Sequence, residues 1–176
     1  MNILAILDNE VYKNELINVA KKIAPVASMI WYRVKNLPQS KIIENCSILR
    51  KNLPNSTLIL SSYPDIAMKV NFNGVHLNRN TYSAEIFEEY KDLIIGYSAH
   101  SLDECKNIKS HYKTLSPIFT LNKPSNFKPL GLININYKNI YALGGINEEN
   151  YKSLKNCGFF GIAGIRLCKN IEKFIF

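Results

Sequence analysis

The 176-residue chain contains no run of about 18 or more uncharged apolar residues, the length that a transmembrane helix requires. Its first segment, Met1 to Asp8, lacks a basic stretch and reaches an acidic residue too early for a secretory signal. We interpret this segment as the first strand of a globular fold. The sequence therefore predicts a cytoplasmic protein that has no membrane partner.

The four cysteines lie far apart, form no C-x-x-C pair and share no metal-ligand spacing with histidine. The predicted strand ends also offer no catalytic arrangement of Ser, His and Asp, no activating context for a cysteine and no close pair of carboxylates. These absences argue against a metal cluster, a catalytic triad and a paired-carboxylate site. We therefore expect no metal ligands, no resident cofactor, and cysteines that serve ordinary packing in a reducing compartment.

The formal net charge is +8, but no dense basic block is present and basic residues do not alternate with aromatic ones. Lysines are spread over stretches of helical pattern, which is typical of a solvated surface. We therefore expect no nucleic-acid partner. A positive field also attracts phosphorylated substrates, so we expect a small phosphorylated ligand, and the sequence leaves a homo-oligomer open.

Apolar runs alternate with amphipathic stretches along the whole chain. The eight predicted strands are residues 2–7, 28–34, 57–61, 74–77, 93–97, 112–119, 140–144 and 158–165. The predicted helices are residues 10–23, 40–51, 64–70, 83–90, 102–110, 148–156 and a short one after Leu167. Such alternation implies a parallel sheet. Eight units without a leftover segment favour one α/β domain over residues 1–176, a shortened (β/α)8 TIM barrel.

Two glycine-centred turns lie at the ends of the last two predicted strands: Gly144-Gly145 at the end of one, and Gly164-Ile165-Arg166 at the end of the other. Glycine lets backbone N–H groups approach an anion, and a helix N-terminus behind the turn adds partial positive charge. Turns at this place in a (β/α)8 barrel commonly hold phosphate. The alternative is that these glycines serve tight turns for steric reasons alone.

The catalytic residues of such a barrel come from the carboxyl ends of its strands. Arg33 and Lys35 share one face at the end of the second strand, where they would meet an anion or else point into solvent. Ser98 and His100 share a face at the end of the fifth strand, where His100 would move protons or else cap the next helix. Lys123 lies on a loop that would close over a ligand or remain exposed.

Six short segments, spaced along most of the chain, resemble motifs of one known family. They are residues 32–35, 73–77, 95–101, 116–119 with Lys123, 142–146 and 161–163. They resemble L-R-x-K, D-G-V-H-L, G-x-S-x-H-[ST], G-P-[IV]-F…T-K, A-[IL]-G-G-I and G-[VI]-A of the thiamine-phosphate synthase/TenI family. Members of that family are (β/α)8 barrels that act in thiamine biosynthesis on thiazole phosphate.

The resemblance implies that thiazole phosphate is held by the backbone of Gly144, Gly145, Ile165 and Arg166. It also implies that Arg33, Lys35 and Lys123 contact pyrophosphate. Synthases of the family bind Mg²⁺ through an Asp after strand three and another after strand four. This chain has Ser61-Ser62 and Asn78-Arg79-Asn80-Thr81 at those places, so neither acid is present.

TenI enzymes of the same family are tautomerases that need no metal and use a histidine at the place of His100 as acid and base. The sequence therefore predicts first a TenI-like thiazole tautomerase with His100 as its catalytic residue and no cofactor. The alternative is a thiamine-phosphate synthase that joins pyrimidine pyrophosphate to thiazole phosphate, which would use Mg²⁺. A third reading is a barrel that binds a phosphorylated metabolite without catalysis.

Overall fold

A computed structural model describes residues 1–121 and 127–174, and in it eight parallel strands close into one barrel. Each strand pairs with the next along the chain, and the last pairs with the first through Asn2 opposite Gly161. The strands are β1 (Asn2–Asp8), β2 (Met29–Arg33), β3 (Leu58–Ser61), β4 (Gly74–Leu77), β5 (Ile94–Ala99), β6 (Tyr112–Leu115), β7 (Ile140–Leu143) and β8 (Gly161–Gly164). The predicted (β/α)8 barrel is confirmed.

The helices of the described residues connect the strands and cover the barrel from outside. They are α1 (Asn9–Tyr12), α2 (Leu16–Ile23), α3 (Gln39–Asn52), α4 (Pro64–Lys69), α5 (Ile86–Glu89) and α6 (Leu102–Asn107). Short 3₁₀ turns add Lys13–Glu15, Tyr151–Leu154, Arg166–Lys169 and Ile171–Phe174. The outward-facing strand residues pack against this layer in one large apolar cluster.

Side chains from six strands fill the inside of the barrel. They form a second apolar cluster that consists of Leu4, Ile6, Trp31, Ile59, Tyr112, Tyr141 and Ala163. Alternate strand residues point inward, as the two-residue period of a strand requires. A Cβ at Gly96 would lie 2.2 Å from the Tyr112 ring, so the glycine makes room for this aromatic side chain.

Several predicted elements are shorter in the structure than the sequence pattern indicates. The helix predicted over 10–23 is interrupted at Lys13, whose φ is +35°. The helix predicted over 148–156 is only the 3₁₀ turn Tyr151–Leu154. There the Ser153 hydroxyl donates to the Asn150 carbonyl oxygen, and such side-chain bonds compete with the helical ladder.

The connection from β6 to β7 has no helix in its described residues, 116–121 and 127–139. The strand predicted to reach residue 119 ends at Leu115, because Pro117 has no N–H to donate to a neighbouring strand. The chain nevertheless stays beside β7, since Ile118 N donates to Leu143 O at 2.9 Å. Farther along, Ile135 N donates to Cys157 O at 2.7 Å.

All four cysteines are buried and unpaired in disulfides, as the sequence predicted for packing residues. Burial raises the pKa of the Cys46 thiol to about 12 and that of Cys105 to about 11. In the part of the chain that the structure describes, no helix has the length and apolar character needed to cross a membrane.

Replacing Gly158 by Ala should destabilise the fold more than the same change at Gly131. Both residues have positive φ, +78° and +73°, which costs a non-glycine residue about 1–2 kcal/mol. At Gly158 the new Cβ would also lie 2.2 Å from Ile135 O, whereas nothing lies within 4 Å at Gly131. Overpacking of this kind adds about 1–3 kcal/mol. Urea unfolding of both variants measures the difference, and equal losses would contradict the contact.

Candidate functional site

The carboxyl ends of β2 to β5 surround a pocket of about 240 Å³ in the mouth of the barrel. Its lining includes Trp31, Arg33, Lys35, His76 and Ser98. Ser98 lies in β5, while Arg33 and Lys35 lie at and just beyond the end of β2. The structure thus brings three of the sequence-predicted site residues around one pocket, although the sequence alone left the direction of the two cations open.

Each of the two cations has a carboxylate beside it. Arg33 Nη1 lies 2.5 Å from Asp8 Oδ2, and Lys35 Nζ lies 3.2 Å from Glu10 Oε2. Asp8 is buried, and its other oxygen accepts the N–H groups of Glu10 and Val11 at the start of α1. Asp8 therefore fixes the guanidinium at the pocket wall. The sequence analysis missed this residue, and its signal was an acid at the end of the first strand.

His76 forms the buried side of the pocket and is flanked by an aromatic ring. Its ring stacks on Trp31 with 3.8 Å between centroids, and Trp31 Nε1 donates to Ser61 Oγ at 2.9 Å. Burial, together with the nearby Arg33 charge, lowers the pKa of His76 to about 3. This imidazole is therefore neutral at physiological pH.

The two glycine turns lie side by side, because Leu143 of β7 pairs with Ala163 of β8 directly before them. Gly144 and Gly145 have φ of +94° and +70°. Within the described residues, the hydrogen bonds do not use the N–H groups of Gly144, Gly145, Ile165 or Arg166. Tyr12 holds the second turn from outside by donating its hydroxyl to Ile165 O at 2.5 Å. These four N–H groups therefore have no acceptor among residues 1–121 and 127–174, and an anion at the turns would accept from them.

His100 follows β5 and is held from three sides. Its Nδ1 lies 2.7 Å from Ser116 O, and its backbone N–H donates to Glu104 Oε2 at 2.6 Å. Its ring stacks on Phe127 at 3.8 Å with 2° between planes. A carbonyl oxygen only accepts, so Nδ1 carries the proton of the neutral ring. Nε2 then carries the lone pair that a general base needs.

The ends of β3 and β4 are the places where synthases of the family carry the Asp residues that bind Mg²⁺. Ser61 and Ser62 follow β3, while Asn78 and Arg79 follow β4, and Arg79 pairs with Glu104 at 2.8 Å. Among residues 1–121 and 127–174, no three His, Cys, Asp or Glu side chains converge to hold a metal ion. Lys123, predicted to contact pyrophosphate, lies outside the described residues.

A family model and named relatives each match most of this chain. A family model described as thiamine monophosphate synthase matches residues 3–167. A protein named putative thiamine-phosphate synthase 2 from Aquifex aeolicus is 30% identical, over 93% of this chain and 95% of that protein. A thiamine-phosphate synthase of Methanococcus maripaludis is 29% identical, over 93% and 85%.

Solved structures are similar in fold. Thiamine phosphate pyrophosphorylase from Pyrococcus furiosus superposes with a TM-score of 0.79 at 24% identity, covering 98% of this chain and 92% of that one. N-(5'-phosphoribosyl)anthranilate isomerase from the same organism has a TM-score of 0.65 at 12% identity, covering 99% and 96%. The names of the sequence relatives agree with the synthase alternative rather than with the tautomerase that the sequence analysis put first.

Acidification should destabilise the fold through His76. Its pKa is about 3 in the folded chain and 6.5 for a free side chain, so the unfolded state binds the proton first. Stability should therefore fall as the pH drops from about 6.5 towards 3, by about 1.4 kcal/mol per pH unit for this group. Urea unfolding at a series of pH values measures the slope. An identical slope in His76→Gln would contradict the assignment.

Replacing Gly145 by Val should abolish binding of thiazole phosphate. A Cβ there would lie 2.7 Å from Phe119 C and from Thr120 O, and the positive φ disfavours valine. The turn must shift, which removes the N–H groups from the anion. Arg166→Ala is the control, because its backbone N–H remains, and affinity should change by only a few-fold. Calorimetry measures both, and survival of binding in Gly145→Val would place the phosphate elsewhere.

Proposed function

The chain belongs to the thiamine monophosphate synthase family, and from that premise we propose that it forms thiamine phosphate from pyrimidine pyrophosphate and thiazole phosphate. The observation that supports the proposal is that two separate groups of hydrogen-bond donors lie at the carboxyl ends of the strands. One is the paired glycine turns after β7 and β8. The other is the pocket between β2 and β5 that Arg33 and Lys35 line. Two phosphorylated substrates need two places for phosphate, whereas the substrate of a tautomerase carries a single phosphate group.

The glycine turns suit the thiazole phosphate. Four backbone N–H groups, from Gly144, Gly145, Ile165 and Arg166, offer hydrogen bonds without a side chain that must be ordered first. Such preorganised donors hold an anion at low entropic cost. Asn150 Nδ2 supports the first turn by donating to Gly145 O at 2.9 Å.

The pocket of Arg33 and Lys35 suits the pyrophosphate. Negative charge grows on this group as it departs, and fixed cations that face it stabilise the transition state more than the ground state. Arg33 is aimed by the buried Asp8, so its geometry is set before the ligand arrives. Lys35 and Glu10 are both about two-fifths exposed, and such a pair is weak enough for Lys35 to turn to an oxyanion.

The Mg²⁺ that synthases of this family use does not fit the described residues of this chain. Hydroxyl and amide groups stand at the ends of β3 and β4, and the carboxylate at the end of β1, Asp8, already binds Arg33 and accepts two backbone N–H groups. Carboxylates are the ligands that Mg²⁺ prefers. We therefore propose that cationic side chains alone neutralise the negative charge of the departing pyrophosphate.

Proton transfer by His100 is the second candidate function, and one observation favours it. Ser116 O fixes the proton on Nδ1, so the lone pair lies on Nε2 of a histidine that directly follows β5. This is the tautomer that a base requires to isomerise a thiazole carboxylate phosphate. The synthase reaction, by contrast, gives His100 no proton to move.

Lys35→Gln should lower the rate of thiamine phosphate formation by about 10- to 100-fold, because hydrogen bonds to charged groups contribute about 1.5–3 kcal/mol. Lys41→Gln is a matched control, since Lys41 also pairs with a glutamate, at 2.9 Å, but lies on α3. Chromatographic detection of thiamine phosphate measures both. Equal rates in Lys35→Gln and the wild type would contradict the role of the pocket.

His100→Ala should leave thiamine phosphate formation largely intact, and EDTA should not inhibit the wild type. If the tautomerase is the true activity, the same substitution lowers conversion of the thiazole carboxylate phosphate, followed by absorbance, about 10²–10⁴-fold. Binding without turnover in either assay would reject both reactions. Inhibition by EDTA that Mg²⁺ reverses would contradict the proposal that side chains alone neutralise the charge of pyrophosphate.

A further inference from the structure

Three side chains form a hydrogen-bonded line from the inside of the barrel to the mouth pocket. Tyr112 Oη lies 2.9 Å from His76 Nδ1, and His76 Nε2 lies 2.9 Å from Ser98 Oγ. Tyr112 and His76 are buried, whereas Ser98 is half-buried and lines the pocket. The proposed reaction gives roles to Arg33 and Lys35 in this pocket, but it gives none to these three side chains.

The Tyr112 hydroxyl fixes which partner donates in its hydrogen bond with His76 Nδ1. Burial, with the neighbouring Tyr141, raises the pKa of Tyr112 well above its usual value, so its hydroxyl keeps its proton. Within the described residues His76 is its hydrogen-bond partner. If His76 Nδ1 carried a proton, the Tyr112 proton would have no acceptor, and a buried donor without an acceptor is costly. Tyr112 therefore donates to Nδ1.

The direction of the second contact follows from the first. A neutral imidazole has one N–H, and with Nδ1 accepting from Tyr112 the proton must sit on Nε2. Nε2–H then donates to Ser98 Oγ, at 2.9 Å, in preference to Thr114 Oγ1, at 3.5 Å. Ser98 Oγ accepts this bond, so its own proton is free to turn towards the pocket.

We propose that Tyr112 and His76 act as positioning residues that polarise Ser98, so that its hydroxyl donates a hydrogen bond to an anionic oxygen bound in the mouth pocket. The alternative polarity, with Ser98 donating inward to His76, would turn an oxygen lone pair towards the ligand. An oxyanion would be repelled by that arrangement. The three hydrogen-bonded side chains therefore make the pocket selective for ligands that accept a hydrogen bond from Ser98.

The ligand chemistry comes from the other walls of the same pocket. Arg33 and Lys35 only donate, and Asn78 and Ser62 also line it. With Ser98 as a further donor, a polyanion such as pyrophosphate satisfies the lining, whereas a cation or a neutral donor does not. The choice of pyrophosphate as the probe rests on the proposed function, but the polarity of Ser98 does not.

Nitrogen-15 spectra of the histidine side chains test the polarity without any ligand. At a pH where the rings are neutral, His76 should be the Nε2–H tautomer. His100 provides an internal contrast, because its Nδ1 donates to Ser116 O and it should be the opposite tautomer. His111 Nδ1 accepts from Ile95 N at 2.9 Å, so His111 should resemble His76. An Nδ1–H tautomer at His76 overturns the inference whatever the enzyme assays show.

Binding of inorganic pyrophosphate tests the consequence. Ser98→Ala and Tyr112→Phe should each weaken binding, about 10-fold for Ser98→Ala and somewhat less for Tyr112→Phe, which leaves both tautomers accessible. Tyr112→Phe should have no further effect in the Ser98→Ala background, because it acts through Ser98. Tyr141→Phe is the matched control: it is a buried barrel tyrosine that makes an edge contact with Tyr112, and it should bind like the wild type.

Different results would contradict the polarity of Ser98, the binding of pyrophosphate and the synthase activity. Losses that add in the double variant, or an equal loss in Tyr141→Phe, would show that Tyr112 is merely structural and would overturn the inference. Wild-type protein that does not bind pyrophosphate would overturn the ligand half of the inference even with the expected tautomer. Thiamine phosphate formation with an Nδ1–H tautomer at His76 would keep the proposed function and reject this inference.

Discussion

Closure of the barrel between β8 and β1 is the constraint on which the site depends, because it brings all eight strand ends to one rim. Closure in turn requires an interior filled to normal packing density. Trp31, Tyr112 and Tyr141 are the aromatic side chains of that interior, and Gly96 and Gly161 leave the room that two of these rings occupy. One of these side chains, Trp31, also lines the mouth pocket, where His76 stacks on it. Filling the barrel and shaping the site are therefore one packing problem.

The sequence predicted the parts of the fold that depend on local pattern. Strand and helix alternation, the count of eight and the irregular connection after β6 follow from apolar periodicity and from proline. The shortened helices did not follow, because competition by Ser153 and the positive φ of Lys13 depend on contacts beyond the periodic pattern. Strand ends were also inexact, since Ala99 remains paired in β5 beyond the predicted end at residue 97.

The candidate site was predictable where it consists of backbone turns and residues at strand ends. The two turns after β7 and β8 and the cations at the end of β2 are visible in the sequence, and the structure places them on the same rim. The line from Tyr112 through His76 to Ser98 was not visible, because it joins β6, β4 and β5 through the interior. A histidine next to apolar residues in the sequence predicts a packed side chain. Only its neighbours in space show in which direction its ring nitrogens accept and donate hydrogen bonds.

The burial of every cysteine has a practical consequence for labelling. Burial raises the pKa of Cys46, Cys105 and Cys168 to between about 11 and about 12, so these thiols are not thiolates at neutral pH. Maleimides and other electrophiles react with the thiolate and need access to it. A single cysteine introduced at an exposed position of the rim would therefore carry a fluorophore or spin label selectively. Because all four native cysteines are buried, they would compete little with an exposed introduced cysteine for such a label.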